Sequence, residues 1–281
     1  MRSTLFRLAY WITSIFFGLF ALALALLPSR KPMMAWITIY TRTMVFWMRT
    51  IAGIRIVVRG RERVPDGPAI IAAKHQSWGD GIVMFAQFFD LAFVTGDHLE
   101  KIPLLGGILR KMGAIIVDNC GGAYARARLV DTELKNAQAE GRRILIYPEG
   151  HLAPVGAHYR YRRGVYHMYS AYGCPAVPVA TNLGLRWPQQ QWRMTPGEAV
   201  IEFLDPIAPG LEKEEFMTRL ERAIETRSRE LAGFGDAGPD GARLGGGALP
   251  APLPDPEPAT ARRKNKKQPA THAIKRELAA Q

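Results

Sequence analysis

From Ile54 to Leu231, short apolar runs alternate with stretches of helix length, and this alternation restricts the chain to few architectures. Ile54–Gly60, Ala69–Ala73, Leu91–Gly96, Ala114–Asp118, Arg143–Gly150, Pro175–Thr181 and Glu198–Leu204 read as strands, the fifth running into a loop. Pro65-Asp66-Gly67-Pro68 supplies the turn between the first two. Gly79–Phe88, Pro103–Gly113, Tyr124–Glu140, Gly164–Tyr172 and Lys213–Leu231 read as helices, with Pro103 opening one and Gly113 and Gly141 ending two. Apolar strands separated by helices predict an α/β fold with a mostly parallel sheet, flanked by helices that cover it. In such sheets chemistry gathers where strands end. His75, Asp118 and Glu149 each fall at or just past a predicted strand end, so the topology predicts one shared rim.

The block Lys74-His75-Gln76-Ser77-Trp78-Gly79-Asp80 stands where the second strand gives way to a helix. An imidazole can take a proton from a hydroxyl near neutrality. A carboxylate on its other ring nitrogen fixes the tautomer and stabilises the imidazolium. With Asp80 in the first helical turn, the chain can fold the acid back onto the ring, and the helix start tolerates its charge. Gly79 leaves room for a sharp turn. Ser77 lacks a nucleophile-elbow setting, so the proton comes from a substrate hydroxyl rather than a protein one.

No charged residue occurs between Leu8 and Leu27, a length that matches the hydrocarbon thickness of a bilayer. Pro28-Ser29-Arg30-Lys31 follows without a small-x-small cleavage pattern, which favours a retained anchor over a secretory signal. In the next apolar segment, Met33–Ile54, Arg42 and Arg49 share a helix face, and Trp36, Tyr40 and Trp47 offer interfacial aromatics. Such a helix can lie at a membrane surface with its arginines reaching headgroups. From Gly233 the chain turns Gly- and Pro-rich and then basic, the composition of a disordered tail. The expected division is therefore 1–53 for membrane-anchoring helices, 54–232 for the catalytic domain and 233–281 for the tail.

Lysine and arginine outnumber aspartate and glutamate by 37 to 25, a net +12 that suits an anionic membrane surface. Finger spacings, RNP-like aromatic strands and long basic helices are missing, so no nucleic-acid partner is expected. Cys120 and Cys174 form neither a CxxC nor a metal spacing and read as buried thiols. His98, His158 and His167 make no metal set, and neither a metal nor a cofactor is expected.

The block KHQSWGD after an apolar strand, then IPLLGGILRKMGAIIVD, then YPEG, then CPAVPVA, resembles the glycerolipid acyltransferase family, which includes bacterial 1-acyl-glycerol-3-phosphate acyltransferases. The likeness runs from about Gly60 to about Pro209 with order and spacing retained. It implies an acyltransferase of phospholipid biosynthesis in which His75 is the general base and Asp80 orients it. The base activates the free hydroxyl of a lysolipid for attack on the thioester of acyl-CoA or acyl carrier protein. It also implies residence on the inner, cytoplasmic membrane, with the catalytic domain facing the cytoplasm and membrane phospholipid as partner.

The family pattern places cations where this chain does not. Asn119 stands in place of an arginine, His151 and Leu152 replace threonine and arginine after Glu149-Gly150, and a lysine is missing near Thr95-Gly96-Asp97-His98. Each lost phosphate contact costs about 1.5–3 kcal/mol, and leucine cannot imitate a guanidinium fork. Arg126 and Arg128, and Arg160, Arg162 and Arg163 in HYRYRRG, are substitutes. The substrate-binding set expected here is Asn119, Glu149, Gly150, His151, Arg160, Arg162 and Arg163. Three functions compete: acylation of 1-acyl-sn-glycerol-3-phosphate to phosphatidic acid, the same chemistry on a less anionic lysolipid, and lipid binding without turnover.

Overall fold

The computed structural model describes residues 1–102, 105–117, 132–189, 191–235 and 249–256. The strands are β1 (Ile54–Arg59), β2 (Ile70–Ala73), β3 (Ala92–Gly96), β4 (Ile115–Val117), β5 (Ile144–Ile146), β6 (Ala176–Thr181) and β7 (Gly197–Phe203). They form one sheet in the order β1-β7-β6-β2-β5-β3-β4. Every pairing is parallel except β6 with β7, where Val179 faces Phe203. The physical reason lies in the connection. Among the described residues of 182–196, which join β6 to β7, the only helical element is a 3₁₀ turn at Leu183–Leu185, and a parallel return needs a crossover helix.

The helices are α1 (Arg2–Ala25), α2 (Lys31–Trp47), α3 (Asp80–Gln87), α4 (Asp97–Glu100), α5 (Leu105–Met112), α6 (residues 132–139), α7 (Gly164–Tyr172) and α8 (Lys213–Leu231). A π turn at Met48–Ala52 ends α2. Alternate residues of β2 feed opposite cores, as the twofold strand period requires. Ile71 and Ala73 join Met33, Met48, Val83 and Phe85 on the face that carries α2 and α3. Ile70 and Ala72 join Val165, Tyr169, Phe216 and Leu220 on the face that carries α7 and α8.

Helices α1 and α2 pair as a hairpin and share a core with the sheet through Phe6, Ala21, Met33 and Met34. Trp36, Tyr40 and Trp47, expected as interfacial aromatics, instead turn inward between the two helices. Trp36 Nε1 donates to Phe17 O at 2.9 Å, Trp47 Nε1 donates to Thr13 Oγ1 at 3.2 Å, and the Tyr40 hydroxyl lies 3.0 Å from Ser14 Oγ. Each ring brings a polar atom that an inter-helix partner satisfies. The outward stripe is formed by Leu8, Trp11, Ile12, Ile15, Phe16, Leu19 and Phe20, spaced at three and four residues. Arg42 and Arg49 are exposed on the hairpin as expected.

Both ends of α1 are tied to the sheet domain. At the start, Ser3 Oγ accepts from Met194 N at 3.0 Å, and Arg7 donates to Trp192 O at 3.0 Å. Past its end, Lys111 donates to Leu27 O, and Arg30 forks onto Asp90 at 2.8 and 2.9 Å. Within the expected tail, residues 233–235 and 249–256 are described, and Leu253 pairs with Tyr159 as a parallel β-bridge.

Candidate active site

The C-terminal ends of β2, β3, β5 and β6 share one rim because these strands run parallel. Lys74 N donates to Val179 O at 3.0 Å, which carries the β2 ladder one residue further and delivers His75 to that rim. His75 O accepts from Ala153 N at 2.7 Å, so its backbone is fixed from the facing loop as well.

His75 Nδ1 lies 3.0 Å from Asp80 Oδ2. The same oxygen accepts from Gln76 N at 2.7 Å and Ser77 N at 2.8 Å. Asp80 is the first residue of α3, so the helix start and two amide donors hold its carboxylate in place. Its side chain is 3% exposed and that of His75 is 21% exposed, so only the ring meets the outside. The Tyr147 ring, just after β5, stacks on His75 with centroids 4.1 Å apart and planes 19° apart. Burial, with the charge of Asp80, pushes the Tyr147 hydroxyl well above its ordinary pKa. Gly79 serves the site by space rather than by a sharp turn: its backbone is ordinary right-handed helical, but a Cβ there would sit 2.8 Å from the Trp187 ring.

Beneath His75 lies a buried ionic cluster. Lys74 Nζ stands 2.9 Å from Glu149 Oε1, 2.8 Å from Glu225 Oε2 and 2.9 Å from Ala157 O. The Tyr161 hydroxyl donates to Glu225 Oε1 at 2.7 Å, and Tyr159 N donates to Glu149 Oε2 at 3.0 Å. Burial opposes the Lys74 ammonium, but Glu225 and Glu149 overcome it and raise its pKa. Burial, reinforced by Glu225 and offset in part by Lys74, lifts Glu149 to about 7. Glu149, expected to contact the substrate, has a side chain with 0% exposure and lies beneath the rim against Lys74.

The remaining expected residues divide. His151 Nε2 lies 3.2 Å from Arg162, and its ring packs edge-on to Tyr159. Burial first, then the charge of Arg162, holds the His151 pKa down. Arg162 N donates to Pro148 O at 2.8 Å, and Ala153 N to His75 O, so this loop is tied to the rim that carries His75. Gly150 is exposed, with a φ of 69° that favours glycine, and the Arg162 stem passes over it. Arg160 is exposed. Arg163 stands at the N-cap position of α7 and makes no side-chain capping bond there. Asn119, Asp118, Arg126 and Arg128 lie outside the described residues.

Sequence reasoning missed Tyr147, Lys74, Tyr161 and Glu225. Tyr147 and Lys74 adjoin recognised motifs and could have been found by asking what a strand end buries. Glu225 carries no local signal, since it reads as one more charge on α8. Among the described residues no His, Cys, Asp and Glu cluster could hold a metal.

Residues 55–182 match the protein family described as Acyltransferase. The chain is 31% identical over 201 residues to a 1-acyl-sn-glycerol-3-phosphate acyltransferase of Pseudomonas aeruginosa, covering 70% of this chain and 77% of that protein. It is 29% identical over 106 residues to a lyso-ornithine lipid O-acyltransferase of the same organism, covering 37% of this chain and 40% of that protein. The crystal structure of the 1-acyl-sn-glycerophosphate acyltransferase of Thermotoga maritima shares the fold, with a TM-score of 0.64 at 23% identity, over 82% of this chain and 98% of that one.

Proposed function

Because this chain belongs to the glycerolipid acyltransferase family and is an acyltransferase, we propose that it acylates the free hydroxyl of 1-acyl-sn-glycerol-3-phosphate, with acyl-CoA or acyl carrier protein as donor. The observation that carries the mechanism is the 3.0 Å contact between His75 Nδ1 and an Asp80 carboxylate locked by two backbone amides. That contact reserves Nε2 for the acceptor. Nε2 takes the hydroxyl proton as the oxygen attacks the thioester carbonyl. The tetrahedral oxyanion collapses, the C–S bond breaks, and the imidazolium returns its proton to the departing thiolate. Phosphatidic acid and the free thiol leave. Arg162, whose guanidinium donates to His151 Nε2 on the loop tied to the His75 rim, meets the acceptor phosphate in place of the family's cations.

The proposed division of labour follows the chain. Residues 1–53 bring the enzyme to the membrane and residues 54–232 catalyse. The stripe from Leu8 to Phe20 supports this reading, since it leaves more apolar area uncovered than a solvated helix tolerates. With both ends of α1 tied to one domain, the hairpin lies in the headgroup region of one leaflet, and we place it on the cytoplasmic side.

The test is turnover by the purified protein with either donor and a panel of lysolipids. 1-Acyl-sn-glycerol-3-phosphate is expected to be the fastest acceptor, and His75→Ala is expected to lose about 10²–10⁴ in kcat. Undiminished activity in that variant overturns the mechanism. A second reading, acylation of a less anionic lysolipid, draws on Leu152 and on the likeness to a lyso-ornithine lipid O-acyltransferase. It prevails if such an acceptor outpaces 1-acyl-sn-glycerol-3-phosphate.

A further inference from the structure

Residues 249–256 read Leu-Pro-Ala-Pro-Leu-Pro-Asp-Pro, with proline at every second position. Two consequences follow from covalent geometry. Each residue before a proline is confined to extended conformations, so the segment is stiff before it docks. In an extended chain alternate amides point the same way, and the amides left, at Leu249, Ala251, Leu253 and Asp255, therefore share one edge. That edge meets the loop that carries the site. Leu253 N donates to His158 O at 2.8 Å, and the segment runs parallel to the chain at Tyr159. Two residues later the Asp255 carboxylate reaches Arg162 at 3.0 Å, and the same guanidinium nitrogen lies 3.2 Å from His151 Nε2.

An aspartate thus sits on the cation assigned above to the acceptor phosphate. We propose that Asp255 is a specificity-determining residue that occupies the acceptor's anion position, so that an anionic lysolipid must displace the 249–256 strap to bind. The inference rests on the reading of Arg162 as an acceptor-binding residue. Charge decides the competition. Arg162 and Asp255 are 49% and 55% exposed, and an exposed pair of this kind holds weakly. A phosphomonoester offers more negative charge and more acceptor oxygens than one carboxylate. It wins the site, while a zwitterionic or uncharged headgroup leaves the strap in place.

Two full-length variants release the strap by independent routes. Asp255→Asn removes the competing charge, and Leu253→Pro removes the amide that docks the segment while keeping Asp255. Each is expected to lower KM for 1-acyl-sn-glycerol-3-phosphate about two- to fivefold, the size of an exposed ion pair, with kcat unchanged. KM for 1-acylglycerol, which bears no phosphate, is expected to stay as it is. An unchanged or raised KM for the phosphate-bearing acceptor overturns the proposal. If the unaltered protein does not turn over 1-acyl-sn-glycerol-3-phosphate, it is the functional reading that fails. The strap is then judged by hydrogen exchange at the Leu253 amide. Faster exchange in mixed micelles of 1-acyl-sn-glycerol-3-phosphate than of 1-acylglycerol supports it, and equal exchange overturns it.

Discussion

Lys74 is the residue whose loss reaches furthest. It is 0% exposed and balances two buried carboxylates one position before His75. Replacing it with methionine leaves Glu149 and Glu225 without a cation, and breaking a buried pair in this way costs about 3–5 kcal/mol. Lys74→Met is expected to lower the denaturant midpoint accordingly. Glu149 adds a pH dependence. Its pKa is about 7 in the folded protein against an ordinary 4.5. Between those values the unfolded chain has released this proton while the folded chain keeps it, so stability falls as pH rises through the window and levels off above it. Glu149→Gln is expected to remove that component, read as the difference between midpoints at about pH 5 and about pH 8. Tyr147 is separable from both: Tyr147→Phe keeps the ring against His75 and is expected to retain most activity, whereas Tyr147→Ala frees the imidazole and lowers kcat. His75 and Asp80 were legible in the sequence because five residues of local chain suffice to join them. The Lys74 cluster was not, because Glu225 arrives from 151 residues away.

Among the elements, α1 and α2 carry the sharpest lesson. Composition identified an apolar helix near the N-terminus, and among the described residues there is one helix long and apolar enough to cross a membrane, Arg2–Ala25. Periodicity did not reveal which aromatics face out. Trp36, Tyr40 and Trp47 are consumed by inter-helix hydrogen bonds, and Trp11, Phe16 and Phe20 are left outside. Ile12→Glu and Phe16→Glu change side chains that are 60% and 55% exposed. Thermal stability is expected to move by no more than about 0.5 kcal/mol, while binding to anionic vesicles drops about tenfold or more for each lost apolar side chain. A fall in stability without loss of vesicle binding contradicts the outward stripe. Among the described residues the strand and helix positions were otherwise close to expectation, since periodicity and Gly or Pro stops act locally; Pro103 and the first part of the expected Tyr124–Glu140 helix lie outside them.

At the scale of the whole molecule, the N-terminal hairpin and the site form one body. Helix α1 is about 36 Å long at 1.5 Å per residue, long enough to cross a bilayer, yet Met194 holds its first turn and Lys111 and Asp90 hold the chain just past its last. Cysteines introduced at Ser3 and Leu27 are therefore both expected to react with an impermeant thiol reagent added on the domain side of vesicles. Protection of one of them contradicts an in-plane hairpin. By itself the sequence determined the α/β class, the strand ends that bear chemistry, the His75–Asp80 pair and the presence of an apolar N-terminal helix. These follow from contacts between near neighbours and from side-chain period. Only the tertiary structure decided the reversed β1–β7 edge, the burial of Glu149, the inward turn of the hairpin aromatics and the docking of Asp255 on Arg162. Each of these joins residues far apart in the chain, and their encounter depends on how the sheet stacks its layers, which no local pattern records.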